Sequence, residues 1–409
     1  MRLVGRLAWR SLWRNPRRTV ITLSAVAFAV TILIVMRATQ RGGYGAMIES
    51  AIGVYTGDLQ VQHVGYHAKP RIEATVPDAD ALAVRMAAMP GVAAVATRAQ
   101  AEALVSSPSR TFGAAVVGVR PDREPEVSTI PGTVRAGRYL APGDAETAVI
   151  GDALARNLSL KVGDELTVLG QGADGSLATL VCTVVGVFSS GSADLDRQVV
   201  EVPLAALQRA FALDGAAHSL VIRTRSLEDV PVVTGAIRTL LAGRPALTVL
   251  PWNDLLDGLE QGIAIDAAVG WFLYAMLVLV VVFSILNTFI TSVLERTREF
   301  GVLLALGVRP RFLGTVVATE FVFVIGAGLA VGMALGLALT GYAAAHGIAF
   351  ASNEALLAQW HLPARIYPEI SLATIATGPL IVLAAASLAA LFPIVHVRRL
   401  RPVDAMKAV

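Results

Sequence analysis

Apolar positions in this chain follow two regimes. Four long runs carry almost no charge, and one long intervening region alternates short apolar stretches with polar and turn residues. Thr19–Met36, Ala267–Thr291 and Ile370–Val395 contain no Asp, Glu, Lys or Arg, and Phe312–Ala345 contains Glu320 alone. A bilayer core about 30 Å thick needs about 20 apolar helical residues. The runs therefore predict four transmembrane α-helices, at 19–38, 266–292, 312–345 and 370–395. A cleaved signal peptide competes for the first run, because Ala25-Val26-Ala27 and Ala27-Phe28-Ala29 have the small-x-small form of a cleavage site. Both lie inside the run and would truncate it, so an uncleaved anchor is expected.

Residues 39–265 read as a large α+β domain between the first and second spans. Strands are predicted at Asp58–Val64, Val92–Thr97, Phe112–Val119, Glu165–Leu169, Ala178–Phe188, Gln198–Val202, Ser219–Thr224 and Leu247–Pro251. Helices are predicted at Asp78–Met89, Gly151–Leu158, Leu204–Phe211 and Leu227–Leu241. Asp174-Gly175, between two strand-like runs, predicts a hairpin turn.

Composition agrees with a membrane assignment. Hydrophobic residues make up 55% and charged residues 16% of the chain, with a mean hydropathy of +0.63, against a usual charged share of about 25%. Lysine occurs only at 69, 161 and 407, after Ala68, Leu160 and Met406. A phosphate-cradling P-loop needs a Gly-Lys step, so the sequence holds no Walker A motif. The lone cysteine, Cys182, sits in LVCTVVGVF, where a strand core residue belongs. His63 and His67 are four apart in a strand-like run, a spacing of about 13 Å that is too long for one metal. H-E-x-x-H, G-x-S-x-G and C-x-x-C motifs are absent. The basic cluster abuts a membrane span, which gives no support for nucleic acid as a partner.

That cluster also sets the orientation. Residues 1–18 hold Arg2, Arg6, Arg10, Arg14, Arg17 and Arg18 and no acid. Arg2, Arg6, Arg10 and Arg14 advance only about 40° each around a helix, making one basic face beside Val4, Ala8, Trp9 and Leu12. The expectation is an interfacial helix with arginines toward anionic headgroups, or a plain positive flank. The 293–311 turn and the 396–409 tail, with Arg398, Arg399 and Arg401, share the Arg excess, whereas the 346–369 loop is balanced. Both termini are therefore expected in the cytoplasm, with the large domain and the 346–369 loop outside.

Between the second and third spans lies LERTREFGVLLALG, Leu294–Gly307. Glu295, Arg296, Arg298 and Glu299 are followed by Phe300, Leu303, Leu304 and Gly307 at i, i+3, i+4, i+7, which predicts a short amphipathic helix. Within the third span, Gly328, Gly332 and Gly336 form two small-xxx-small steps that admit another helix closely. Glu320, about two turns from the cytoplasmic end, is expected to pair with Arg309 or Arg311 rather than relay protons, since no second buried acid or His accompanies it. Pro379 and Pro393 are expected to kink or end the fourth span.

One span, a large outer domain, three further spans and ERTREFGVLLALG after the second span together resemble the MacB/FtsX-type permease subunits of ABC transporters, over essentially the whole chain. WRNPRRT before the first span and RRLRPVDAM after the last agree. The resemblance implies that the LERTREFGVLLALG segment is a coupling helix docking into a groove of a separate ATPase. Glu295, Arg296, Arg298, Glu299, Gly301, Ala305, Leu306 and Gly307 stand at the recurring positions. The charged half, Glu295–Glu299, is expected to meet the ATPase, and the apolar half from Phe300 through Leu303 to Leu306 to hold the helix against the membrane domain. Glu320 stands where that family often has an acid. GDALARNLSLKVGDELTVLG and FSSGSADLDRQVVEVPLAALQRAF look most like the permeases of lipoprotein-releasing LolCDE systems, whose outer domain has two lobes, one inserted at about 147–213 here. The short LGQGADGSLA hairpin lacks the long hook with which one of those permeases recruits its lipoprotein carrier, leaving a periplasmic carrier or an adaptor as open partners.

The resemblance further implies a non-catalytic subunit of the bacterial inner membrane, with no cofactor of its own. ATP and Mg would be bound by two copies of the partner ATPase. One coupling segment without internal repeat calls for a second permease copy, the same or related. The substrate expectation is lipoprotein or another lipophilic molecule, with membrane lipids in contact. Efflux of drug, peptide or haem-like compounds and activation of a cell-wall hydrolase are the competing functions.

Overall fold

The computed structural model describes residues 2–349 and 365–399. They form two compact units, one built from residues up to Gly45 and from Ile263 onward, the other from Ala46–Gly262. The RRLRPVDAM signature from Leu400 on, with Arg401, and most of the 346–369 loop lie outside the described residues. Helix α1, Arg2–Arg14, meets α2, Pro16–Ala51, at Asn15, where Pro16 fits a first helical turn because its missing N–H has no partner there anyway. The chain leaves α2 through a π-helical turn at Ile52–Thr56 and turns at Gly57, whose φ of 71° suits glycine.

The outer unit carries strands β1 Leu59–His63, β2 Val92–Ser106, β3 Thr111–Val119, β4 Val134–Gly137, β5 Thr147–Gly151, β6 Glu165–Gln171, β7 Leu177–Phe188, β8 Val199–Pro203, β9 Ser219–Thr224 and β10 Leu247–Pro251. Its helices are α3 Ala79–Ala87, α4 Glu124–Val127, α5 Asp152–Leu158, α6 Ala193–Gln198, α7 Leu204–Ala210, α8 Val230–Leu240 and α9 Trp252–Leu255. The strand order is β10-β1-β9-β2-β3-β8-β5-β7-β4, with β6 bridging β2 and β7. Parallel pairs β3/β8 and β5/β7 sit among antiparallel ones, so the sheet is mixed.

Strand β2 organises this unit. At 15 residues it is far longer than a typical strand of about 5–6. Its first half, from Val92 to Arg98, pairs with β9, and its second half, from Ala99 to Ser106, with β3. One core gathers Leu59, Leu82, Met86, Ile222 and Ile237 under α3 and α8. A second gathers Ala99, Val105, Val116, Leu154, Leu166, Leu207 and Phe211 around α5 and α7. The second core therefore begins at Ala99, halfway along β2, and not at Thr147, because a continuous strand can be shared by two sheets' worth of side chains. Cys182 is buried in this second core, and burial pushes its thiol up to about 12, which suits packing rather than redox chemistry. The Asp174-Gly175 turn is present, Gly175 at φ 82° closing the short β6–β7 hairpin. Strands β4 and β5 and helices α4 and α6 had no separate sequence signal, being short and almost without alternation. His67 lies in a turn beyond the end of β1, so it does not share a strand with His63; Gly65 at φ 80° breaks the run.

The membrane unit adds α10 Asp257–Glu295, α11 Thr297–Ala305, α12 Pro310–His346, a two-residue ladder of β11 Ile348–Ala349 with β12 Arg365–Ile366, and α13 Leu372–Arg398. Among the described residues four helices, α2, α10, α12 and α13, are long and apolar enough to cross a membrane. A capping box between Ser371 and Thr374 opens α13, which then runs through Pro379 and Pro393 to Arg398, so neither proline ends it. The glycine steps seat α12 on α2. A Cβ at Gly328 would meet Val26 at 2.8 Å, one at Gly332 the Ala27 carbonyl at 2.7 Å, and one at Gly336 the Ile34 side chain at 2.9 Å. Thr31 donates to the Gly332 carbonyl at 3.1 Å, a bond made possible by that closeness.

Candidate coupling site

The site lies where α10 ends. Glu295 closes α10, and Arg296 breaks the helix at φ −102°, ψ 4° before α11 begins. Helix α11 stops at a glycine cap. Gly307 adopts φ 91°, its N–H donates to the Leu304 carbonyl at 3.0 Å, and the Val308 N–H reaches back to the Leu303 carbonyl at 3.0 Å. That pattern of paired bonds is a Schellman motif, which is why a glycine stands at this position. Pro310 then opens α12.

One face of α11 is held against the neighbouring helices. Phe300 and Leu304 pack with Val293, Leu313, Val317 and Val397, and Thr297 and Gly301 are also buried. The first two turns of α12 thus lie alongside α11, and the level at which α10 ends corresponds to Glu320. There Arg296 Nη1 donates to Glu320 Oε1 at 2.9 Å and Oε2 at 3.2 Å, and to Ser11 Oγ at 2.7 Å. Side-chain exposures of 14% and 5% make this a largely buried ion pair. Its guanidinium also rests 5.1 Å from the centroid of the Phe300 ring. The partner of Glu320 is therefore Arg296, not Arg309 or Arg311, because α12, entered after α11 and the Gly307 turn, brings the acid beside the end of α10.

The remaining acids of the segment are engaged from the N-terminal side. Arg14 contacts Glu299 at 3.1 Å and Arg18 contacts Glu295 at 3.1 Å. Both pairs are exposed, and each contributes roughly 0.2–1 kcal/mol. The opposite face of α11 is open: Arg298, Val302, Leu303, Ala305, Leu306 and Gly307 are exposed, Leu306 by 77%. The segment is thus divided by faces and not by halves. Phe300, Gly301 and Leu304 anchor it, while Leu303, Ala305 and Leu306, expected to face the membrane domain, look outward. That Ser11, Arg14 and Arg18 meet this segment escaped the sequence reading, which gave the arginines to the membrane surface. Their only signal was a basic row facing an acidic one across the same membrane edge.

At the far ends of α2 and α10 a second polar contact ties those helices. Tyr44 donates to Asp266 Oδ2 at 2.5 Å and Tyr274 to Gln40 Oε1 at 2.8 Å. Gly270 leaves the room that Gln40 occupies. Among the described residues no group of three or more metal-ligating side chains occurs.

Known proteins place this architecture. Residues 19–240 match the MacB-like periplasmic core domain, and residues 271–402 the FtsX-like permease C-terminal region. The lipoprotein-releasing system transmembrane protein LolC of Neisseria meningitidis serogroup B is 21% identical over 404 residues, covering 95% of this chain and 94% of that protein. The macrolide export ATP-binding/permease protein MacB of Rhodospirillum rubrum is 27% identical over 357 residues, covering 81% of this chain but 52% of its own length. The periplasmic region of MacB from Actinobacillus actinomycetemcomitans aligns with a TM-score of 0.37 at 14% identity, over 52% of this chain and 95% of that structure. The chain belongs to the ABC transporter permeases that combine a MacB-like periplasmic core domain with an FtsX-like C-terminal region.

Proposed function

We propose that this chain is a bacterial inner-membrane permease subunit in which α11 receives the motion of a separate ATPase and passes it, through α10 and α2, to the outer domain. The observation that carries this reading is the two-faced mounting of α11: one side locked by Phe300, Leu304 and the buried Arg296–Glu320 pair, the other offering Arg298, Val302 and Leu306. A lever must be fixed to what it moves and free toward what moves it. ATP and Mg belong to the partner, two copies of which would serve a pair of permeases, identical or related. Both termini and α11 face the cytoplasm in this reading, following the Arg excess there. The Tyr44–Asp266 and Tyr274–Gln40 contacts would make α2 and α10 move as one.

The cargo is lipoprotein or a similar lipophilic molecule. Correspondence over 94% of the length of a lipoprotein-releasing LolC supports this choice. Export of small amphipathic compounds is the second reading, favoured by the 27% identity to a macrolide export protein.

The test is a substitution on the open face. Leu306→Asp or Val302→Asp should lower cargo-stimulated ATP hydrolysis of the assembled complex by about tenfold or more, as removal of an interface anchor does, while insertion and yield stay unchanged. Normal hydrolysis in both variants would overturn the docking role of α11.

A further inference from the structure

Helix α1 has a free face that the coupling site does not use. Ala8 is fully buried, whereas Trp9 and Trp13 are exposed by 55% and 62%. At 100° per residue, the two tryptophans line the border between the buried Ala8–Leu12 side and the row of Arg6, Arg10 and Arg14. Arg14 is committed to Glu299 and Arg18 to Glu295. Arg6, Arg10 and Arg17 are exposed and have no carboxylate partner among the described residues.

The depth of this face is fixed by Trp9. Its ring meets Phe323 edge-on at a centroid distance of 6.1 Å, and Trp13 at 6.0 Å. Phe323 lies one helical turn beyond Glu320, on the apolar side of the level where α10 ends. Tryptophans at that level with arginines beside them match the boundary between hydrocarbon and headgroup, where amphipathic rings and snorkelling cations are both favourable. A soluble partner could meet the arginines but would leave Trp9 and Trp13 at the apolar boundary without a role.

We propose that Arg6, Arg10 and Arg17, flanked by Trp9 and Trp13, bind the headgroups of anionic phospholipids, and that the bound leaflet steadies α11 through Ser11, Arg14 and Arg18. The steadying of α11 rests on the coupling reading given above; the lipid binding does not. Three contacts transmit it: Ser11 to Arg296 at 2.7 Å, Arg14 to Glu299 at 3.1 Å and Arg18 to Glu295 at 3.1 Å.

The full chain is placed in nanodiscs of fixed phosphatidylcholine and phosphatidylglycerol content, with bromine on the acyl chains of one lipid or the other. Quenching of Trp9 and Trp13 is isolated by difference from the Trp9→Phe, Trp13→Phe variant. Brominated phosphatidylglycerol should quench more strongly, and each Arg→Gln change at 6, 10 or 17 should reduce the local enrichment about fivefold. The Arg→Lys changes should keep it, which separates lost charge from lost folding. Equal quenching by the two lipids, or a preference that survives the triple Gln variant, overturns the proposal. So does loss of quenching when the partner ATPase is added, since the face would then belong to that protein. Because the readout needs no hydrolysis, normal ATPase activity in Leu306→Asp would defeat the coupling reading and leave this result standing.

Discussion

Two arginines, one fully buried and one partly, show how charge balance decides what an ionic cluster can do. At the coupling site Arg296 meets one buried acid, Glu320, and gains a neutral acceptor in the Ser11 hydroxyl. In the outer domain Arg98 holds Glu124 in a two-pronged contact, donates to the Tyr55 carbonyl at 2.6 Å and lies 4.3 Å from the centre of the Tyr55 ring. A second acid, Glu201, lies close by, fully buried, with Tyr139 donating to its Oε2 at 2.6 Å and its Oε1 without a hydrogen-bond partner. One cation faces two carboxylates, and burial followed by the nearby Glu124 charge pushes Glu201 up to about 8. The first cluster is balanced and acts as a pin. The second is one charge short and holds a proton instead.

The largest effect is expected from breaking the outer cluster at its cation. Arg98→Met leaves Glu124 buried without a counter-charge beside the protonated Glu201, which should destabilise the outer domain by about 5 kcal/mol. Hydrogen exchange on the full chain should report lost protection across β2, β3 and β8. Unchanged protection would mean that the arginine is dispensable and the comparison mistaken.

Breaking the pin comes next. Glu320→Ala leaves Arg296, only 14% exposed, with no carboxylate nearer than the exposed Glu299 at 3.8 Å, at a cost of about 3 kcal/mol. Loosening should be confined to α11 and the start of α12, visible as raised exchange there with α2 and α13 unaffected. Spreading of the effect to the whole membrane unit would assign the pair a folding role rather than a local one.

The smallest effect sharpens the contrast through pH. Glu201 titrates near 8 in the folded chain, above the ordinary 4.5. Between those values the folded state holds more protons than the unfolded state, so stability should fall as pH rises through the window and level off above about 8. The slope is at most about 1.4 kcal/mol per pH unit. Glu201→Gln should flatten it, measured as the midpoint of chemical unfolding against pH. The Tyr139 and Tyr55 phenols, the Glu124 carboxylate and the Arg98 guanidinium are charged and titratable groups around it, and a slope that persists in the variant would trace to one of them.

Much of the membrane unit was legible from the sequence. Charge-free runs report spans because lipid tolerates few charges, and the Gly328, Gly332 and Gly336 steps report close helix contact because nothing but glycine leaves that room. The amphipathic period of α11 was legible too, and its buried residues Phe300 and Leu304 were on the right stripe. Leu303 and Leu306 were assigned to the wrong side, since periodicity gives a face but not which neighbours cover it. In the outer domain alternation revealed most strands. It could not reveal that β2 continues past Thr97 to Ser106, where it changes partners.

What the sequence settled alone is whatever local spacing or composition dictates: the four apolar spans, the glycine seam and the absent P-loop lysine. Tertiary structure decided which charges meet. Arg296 and Glu320 are 24 positions apart, and Arg98, Glu124 and Glu201 come from three elements of the sheet domain. Pairing energies of that kind depend on distance and burial, and both exist only once the chain has turned at Arg296 and closed its sheet.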